Sequence, residues 1–500
     1  RTRATGLWLG PSLALGMLVL VSLEPGEPAV TRMAAVALWM AVWWITEAVP
    51  LAVTALLPVV LLPLLGIMPG RQVSPLYFNS IIFLFLGGFV VALAMERWAL
   101  HRRIALGIIL LVGGGPRRLV LGFMLAAGFL SMWISNTATT MMMIPIVLAV
   151  LGRVCDGHAP DLERRFPPAL LLGTAYGASL GGLATLVGTP PNPLFVRQLA
   201  VLFPAAPEIG FARWLVFALP LSALMIAATW LLLCLFFRLG KDGPALSREV
   251  LRREREALGP LSWEERWVLA VFVLLATLWM TRTGLTVGSW TVPGWSSLLP
   301  WPDHVDDGTV AVAMALVLFL VPSRARPDTR IMDWNTARRL PWGIVLLFGG
   351  GFALASGFVE SGLSAWLGGR LEGLSGLPPV LVVLSVCLLI TFLTELTSNT
   401  ATTQMVLPVL AAVAVAIRVD PLLLMVPATL SASCAFMLPV ATPPNAIVFG
   451  TERIRGTDMA RVGFVLNLLG AVLITACVYL VGRLVLDIDP AALPAWAQPG

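Results

Sequence analysis

The sequence predicts an all-α polytopic membrane protein built as an inverted repeat. Three observations carry that reading. Apolar runs of membrane-spanning length recur along the whole chain, three motifs occur twice in the same order, and basic residues are concentrated on alternate connections. The 500 residues are 58% hydrophobic and 12% charged, whereas a soluble domain is about a quarter charged. The runs include Leu7–Leu23, Met33–Val49, Ile81–Leu93, Trp214–Phe237, Trp267–Met280, Val310–Val321 and Val462–Val485. They are continuous rather than alternating, which excludes a lipid-facing β-barrel and fits helices that must satisfy their own backbone.

Residues 1–31 form an N-terminal segment and first helix. Its apolar run ends at Glu24-Pro25-Gly26-Glu27 without a small-residue cleavage site, so it reads as a retained helix and not a removed signal peptide. Residues 32–240 form the first repeat, with a hairpin at about 117–152 and a broken helix at about 167–202. A cytoplasmic linker, 241–262, leads to the second repeat at 263–487, with a hairpin at about 378–417 and a broken helix at about 421–452. Residues 488–500 form an extracytoplasmic tail.

The net charge of +6 does not point to nucleic acid, because the basic residues cluster in short loops. Clusters are Arg97/Arg102/Arg103, Arg117/Arg118, Arg164/Arg165, Arg238 to Arg266 and Arg324 to Arg339. With the N-terminus in the cytoplasm, 25 of the 33 Lys and Arg residues fall inside and 8 outside. The loop Thr283–Asp307 and the tail bearing Asp487 and Asp489 then lie outside, and the location is the plasma (inner) membrane. The cysteines at 155, 234, 387, 434 and 477 form no close pair, which gives no zinc or redox motif and leaves them as small buried fillers.

The repeat can be measured. Ser135–Thr140 and Ser398–Thr403 both read Ser-Asn-Thr-Ala-Thr-Thr, and Gly87-Gly88-Phe89 recurs as Gly350-Gly351-Phe352, each pair offset by 263. Thr189-Pro190-Pro191-Asn192 recurs as Thr442-Pro443-Pro444-Asn445, offset by 253. The charge distribution brings the two halves in from opposite sides, so the repeats are inverted, the arrangement associated with alternating access around a midplane site. The first hairpin opens to the cytoplasm and the second to the outside. Each arm is marginal for a full span, so both are read as re-entrant with non-helical tips buried in protein.

Ser, Asn and Thr at the tips end one helix and begin another. The second arm of each hairpin then offers a helix N-terminus, with free N–H groups and partial positive charge suited to a carboxylate or other oxyanion. The hydroxyls of Ser135, Thr137, Ser398 and Thr400 add neutral donors. A plain capping role would explain one such tip; two inverted copies beside two Pro-Pro breaks point to a site. The breaks free the carbonyls of Gly188 and Ala441 as hard oxygen donors of the kind alkali cations take. No charged residue occurs in Leu119–Leu151, Phe166–Val196 or Pro421–Thr451, and Glu395 is the only one in the second hairpin. An unpaired charge at this depth costs at least about 2.5–3.5 kcal/mol. A dianion held there therefore needs cations that travel with it, which argues for sodium at two or more sites. Ser131, Ser135, Asn136 and Gly188 form one expected cage, and Thr394, Thr397, Asn399 and Ala441 the other. Proton coupling is the rival. His101, His158 and His304 are expected in loops, and Glu395 is read as a helix-end residue in water rather than a proton carrier.

These residues resemble the divalent anion/sodium symporters, the dicarboxylate, citrate and sulfate carriers. The match covers nearly the whole chain and rests on Trp43-Trp44-Ile45-Thr46-Glu47-Ala48, Ser131-Met132-Trp133-Ile134-Ser135-Asn136-Thr137, Thr394-Glu395 before Ser398-Asn399-Thr400, and both Thr-Pro-Pro-Asn breaks. The resemblance implies about eleven transmembrane helices, two re-entrant hairpins, a homodimer in the lipid bilayer and an elevator-type transporter. It implies a scaffold of the early helices of each half and a moving body that carries the hairpins and broken helices. It places substrate contacts on Ser135, Asn136, Thr137, Thr189, Ser398, Asn399, Thr400, Thr442 and Pro443. It further implies sodium-coupled import of a C4-dicarboxylate such as succinate, malate or fumarate, with sodium-independent exchange, or carriage of citrate or sulfate, as alternatives. An intramembrane enzyme finds no His-Glu-x-x-His, Gly-x-Ser-x-Gly or paired intramembrane aspartates, and an anion channel would not need two closed sites. The glycines Gly173, Gly177 and Gly181 read as helix packing.

Overall fold

The computed structural model describes residues 2–155, 160–240, 246–287, 290–371 and 377–498. Among the described residues it is mainly helical, with a two-stranded antiparallel hairpin, Leu285–Val287 with Trp290–Val292, in the connection that carries no Lys or Arg, and an isolated bridge between Pro322 and Arg330. Among the described residues seven helical stretches are long and apolar enough to cross a membrane. They are Arg3–Leu20, Pro28–Thr46, Gly70–Arg97, Phe211–Phe236, Trp342–Glu360, Asn399–Ala416 and Gly456–Val485. Their outward faces present Leu15, Val19, Leu231, Leu235, Leu480 and Leu484 at half or more exposure. That is the surface a lipid solvent requires, since lipid tails are as apolar as leucine.

Each hairpin is two helices joined by four non-helical residues. The first pairs Pro116–Ser131 with Asn136–Cys155, and the second pairs Pro379–Thr394 with Asn399–Ala416. Proline opens the first arm of both, where its missing N–H costs nothing. The first broken helix is Pro160–Gly182 followed by Pro191–Leu202, and the second is Leu422–Ala432 followed by Pro443–Phe449.

The repeated glycines are packing devices. A Cβ on Gly87 would lie 2.5 Å from the Ala311 backbone, and one on Gly350 would lie 2.5 Å from the Ala55 carbonyl oxygen. Helix Ser80–Arg97 can therefore approach Asp307–Leu320 closely, and Trp342–Glu360 can approach Leu51–Thr54. The seam of Gly173, Gly177 and Gly181 lets Pro160–Gly182 lie against the first hairpin arm: a Cβ on Gly177 would sit 2.7 Å from the Met124 carbonyl oxygen.

Packing crosses between the halves. The second arm of the first hairpin and helix Pro160–Gly182 both touch Pro443–Phe449, and helix Pro191–Leu202 touches the second hairpin and Leu422–Ala432. One large apolar core joins the hairpins, the broken helices, Phe211–Phe236 and Gly456–Cys477. A smaller core joins Pro28–Thr46, Leu57–Leu64, Trp342–Glu360 and Leu363–Leu371. Cys234, Cys387, Cys434 and Cys477 are free and buried, as expected of fillers; the side chain of Cys155 lies outside the described residues.

Candidate functional site

At the first tip the hydroxyl of Ser131, fully buried at the end of its helix, lies 2.5 Å from Asn136 Oδ1. Two glycines close this cluster. A Cβ on Gly182 would stand 2.6 Å from Asn136 Oδ1 and 3.0 Å from the Gly188 carbonyl oxygen. A Cβ on Gly188 would stand 2.5 Å from the Gly182 carbonyl oxygen and 2.9 Å from that of Ser131. Oxygen atoms of Ser131, Asn136, Gly182 and Gly188 are thus gathered in one close-packed cluster that leaves no room for a methyl group on either glycine. No cationic side chain contributes to the set, and neutral hard oxygens in that number suit an alkali cation.

The second tip repeats the core of this arrangement. Thr394 Oγ1 donates to Asn399 Oδ1 at 2.7 Å and lies 2.8 Å from the carbonyl oxygen of Ala432, which ends helix Leu422–Ala432. The expected sets are only partly assembled. Ser131, Asn136 and Gly188 come together, joined by Gly182, while the Ser135 hydroxyl accepts the Ala138 N–H as a helix cap. Thr394 and Asn399 come together with Ala432. Thr397 turns its hydroxyl to Thr402 Oγ1 at 2.6 Å and to the Leu393 carbonyl at 2.9 Å, away from that cluster. The carbonyls of Gly188 and Ala441 accept no backbone hydrogen bond among the described residues, which leaves both oxygens free as the breaks require.

The asparagines of both breaks are backbone staples. Asn192 Nδ2 donates to the carbonyls of Gly182 (3.3 Å), Leu183 (3.2 Å) and Thr185 (2.7 Å). Asn445 Nδ2 donates to those of Ala435 and Leu438, both at 3.1 Å. Ala435 and Leu438 stand 253 residues after Gly182 and Thr185, the same offset as the motif itself. Both Oδ1 atoms are buried without a partner. Thr442 caps its helix by accepting the Asn445 N–H at 3.4 Å, and Thr189 Oγ1 reaches Ser433 Oγ of the other half at 3.3 Å.

Glu395 is not a helix-end residue in water. It is 4% exposed. Its Oε1 accepts the N–H groups of Phe436 (2.7 Å) and Met437 (2.8 Å) and the Asn467 amide (2.8 Å), and its Oε2 accepts the Leu438 N–H at 3.0 Å. Tyr176 donates to the Phe436 carbonyl at 2.7 Å from the first broken helix. The carboxylate therefore locks the second hairpin tip to the loop that leads into the second break. Both oxygens of the Glu395 side chain thus find donors within the chain.

A cavity of about 490 Å³ reaches the first tip. It is lined by Ser135, Thr137 and Ala138, by Phe89, Leu93 and Met142, and at its mouth by Glu96 and Arg339. Ser398, Asn399, Thr400, Thr189, Thr442 and Pro443 do not line it. Glu96 and Arg339 pair at 3.3 Å, so the mouth carries no net charge from them. Beside it Arg97 pairs with Asp333 at 2.7 Å. Burial raises the Asp333 carboxyl, but the Thr336 N–H and hydroxyl and the Arg97 guanidinium outweigh that and hold it below the usual range.

Sequence reasoning missed Gly182, Ala432 and the role of Glu395. Gly182 and Ala432 had a signal, since each ends the helix ahead of a break and so presents free carbonyls. The partners of Glu395 could not be read from spacing, because they lie 41 to 43 residues on in a loop and 72 residues on in helix Gly456–Cys477. His101 sits in the first turn of a helix rather than a loop, and its ring lies 2.9 Å from the Met95 carbonyl. His304 falls in a loop turn, as expected, and His158 lies outside the described residues.

The fold has solved counterparts. MtrF of Neisseria gonorrhoeae, described as illuminating a class of antimetabolite efflux pumps, aligns with a TM-score of 0.56 at 12% identity over 94% of this chain and 97% of its own. The YdaH transporter of Alcanivorax borkumensis aligns with a TM-score of 0.56 at 15% identity over 85% and 88%. At such identities the likeness is one of fold alone. In sequence, the chain is 45% identical over 490 residues to a sodium-dependent dicarboxylate transporter, SdcS, of Staphylococcus aureus strain NCTC 8325 / PS 47, covering 97% of this chain and 92% of the relative. The same protein of strain MRSA252 is 44% identical over equal spans. The profile of the sodium:sulfate symporter transmembrane region matches residues 12–487, and the chain belongs to that family of membrane transporters, not to any class of enzymes.

Proposed function

We propose that this protein imports C4-dicarboxylates such as succinate, malate or fumarate together with sodium. The observation that carries the reading is the oxygen cluster at the first tip. Ser131, Asn136, Gly182 and Gly188 gather neutral oxygens in one close-packed cluster and bring no cationic side chain of their own. The matching Thr394–Asn399–Ala432 cluster supports a second ion. The helix that begins at Asn136 and the one that begins at Asn399 direct free N–H groups outward from the tips, where the two carboxylates of the substrate bind. Ser135, Asn136, Thr137 and Thr189 take one end, and Ser398, Asn399, Thr400, Thr442 and Pro443 the other. The 45% identity to a sodium-dependent dicarboxylate transporter supports the same assignment.

The coupling follows from charge. A dianion cannot be desolvated among neutral groups alone, and a cation cannot leave water for neutral oxygens without gain from the dianion beside it. Each stabilises the other, so the loaded moving body crosses with its charges compensated. In this reading the chain works as a homodimer. The hairpins and broken helices, with Phe211–Phe236 and Gly456–Cys477, move as one body against a scaffold of the early helices of each half. The cavity at the first tip opens beside Glu96 and Arg339, which the basic-residue distribution puts in the cytoplasm, and this supports an inward-open arrangement.

Uptake of labelled succinate into proteoliposomes, driven in turn by a sodium, potassium or proton gradient, tests the proposal. Accumulation with sodium alone is expected. Uptake that requires only internal dicarboxylate would replace symport by exchange, and uptake driven by protons alone would refute the coupling.

A further inference from the structure

The protein carries a second anion-attracting feature away from the tips. Arg164, Arg165, Arg238, Arg453 and Arg455 line one cavity of about 380 Å³ with Pro168, Phe236, Phe237 and Asp458. Among the described lining residues are five guanidinium groups and one carboxylate, and of the five Arg165 has a partner of its own. Arg164, Arg238, Arg453 and Arg455 are exposed and make no side-chain ion pair or hydrogen bond among the described residues. Some arginines elsewhere are paired, as Arg97 is with Asp333, Arg103 with Glu265 and Arg282 with both Glu208 and Asp307. Like charges gathered without partners repel, and an arrangement of this kind is relieved by a bound polyanion.

The arginines come from three separate places. Arg164 and Arg165 open the first broken helix, Arg238 follows the end of Phe211–Phe236, and Arg453 and Arg455 join the second broken helix to Gly456–Cys477. All three places fall on the side to which the basic-residue count assigns the cytoplasm. Arg455 stands at the N-cap of a 22-residue helix with no side chain capping it, so unsatisfied N–H groups add to the positive field. The cavity also borders an apolar, outward-facing strip: Leu231, Leu235 and Phe236 on the adjoining helix are 52%, 64% and 39% exposed. Charged walls beside a lipid-facing strip suit a molecule with a phosphate head and an apolar body.

We propose that this cavity is a binding site for a phosphate-bearing anion, with an anionic phospholipid headgroup as its occupant. Arginine forks match phosphate oxygens bidentately, and basic pockets between membrane helices on the cytoplasmic side are suited to such headgroups. Because the site draws on both broken helices, its occupant bridges the two halves of the chain away from the tips.

The test uses the full purified chain. After delipidation it is offered equal amounts of phosphatidylglycerol and phosphatidylcholine, and retained lipid is counted by native mass spectrometry. The wild type is expected to retain phosphatidylglycerol in preference by about threefold or more. The Arg453→Gln/Arg455→Gln double variant, which alters only exposed groups, is expected to bind the two lipids equally. Arg118→Gln, an exposed arginine that does not line the cavity, is expected to keep the preference. In a second arm, inorganic phosphate and pyrophosphate are added to wild type and double variant and melting temperature is followed. A rise confined to the wild type, without lipid preference, would keep the phosphate site and assign it to a soluble anion. If neither lipid retention nor melting separates the double variant from the wild type, the proposal is wrong.

Discussion

The role of Glu395 yields the sharpest prediction, because two readings of it diverge. As a clamp, its carboxylate holds Phe436, Met437, Leu438 and Asn467 through four hydrogen bonds. As a proton carrier, it would exchange a proton during transport and contribute little to the fold. In Glu395→Gln, the amide oxygen placed at the Oε1 position keeps three of the bonds, but each loses its charge assistance, about 1 kcal/mol apiece. The amide nitrogen then faces the Leu438 N–H, donor against donor, which leaves a buried N–H unsatisfied at about 1 kcal/mol or more. The sum is about 4 kcal/mol. Unfolding entropy is about 2.1 cal/mol/K per residue, or about 1 kcal/mol/K for 500 residues. The melting temperature in detergent should fall by about 4 °C, and that of Glu395→Ala by more. Sodium-driven uptake should fall with it, since the loop leads directly to Thr442 and Asn445. A Glu395→Gln protein that melts within about 1 °C of wild type while losing transport would refute the clamp and restore the proton carrier.

Three further outcomes are expected. Gly182→Ala puts a methyl group 2.6 Å from Asn136 Oδ1, so the sodium concentration for half-maximal uptake should rise by about tenfold or more; a sodium titration of the folded fraction checks this. Asn136→Ala and Asn399→Ala should each abolish uptake with little loss of folded protein by gel filtration, and wild-type rates in either would contradict the site. Asn192→Ala and Asn445→Ala remove a staple from two or three carbonyls and should each cost about 2 kcal/mol, read as a fall of about 2 °C in melting temperature.

Much of the site was legible from the chain because its logic is local. Ser131 and Asn136 are five residues apart, as are Thr394 and Asn399, so a turn between two helices suffices to bring each pair together. The breaks were equally plain, since two consecutive prolines withdraw two donors at Pro190-Pro191 and Pro443-Pro444, whereas single prolines such as Pro145, Pro220 and Pro408 stay inside continuous helices. Thr397 shows the limit: its hydroxyl could serve a cation or its own helix, and only the placement of Thr402 decided for the helix.

What the sequence determined by itself was the membrane character, the doubled motifs and the identity of the family. These follow from solvent preference and backbone chemistry, which act residue by residue. What the tertiary structure decided was which distant groups meet. Gly182 joins the oxygen cluster at the first tip and Ala432 that at the second, Glu395 pins a loop from across the fold, and five arginines from three separate places share one cavity. No periodicity or spacing encodes such meetings, because they depend on how helices separated by tens or hundreds of residues pack against one another.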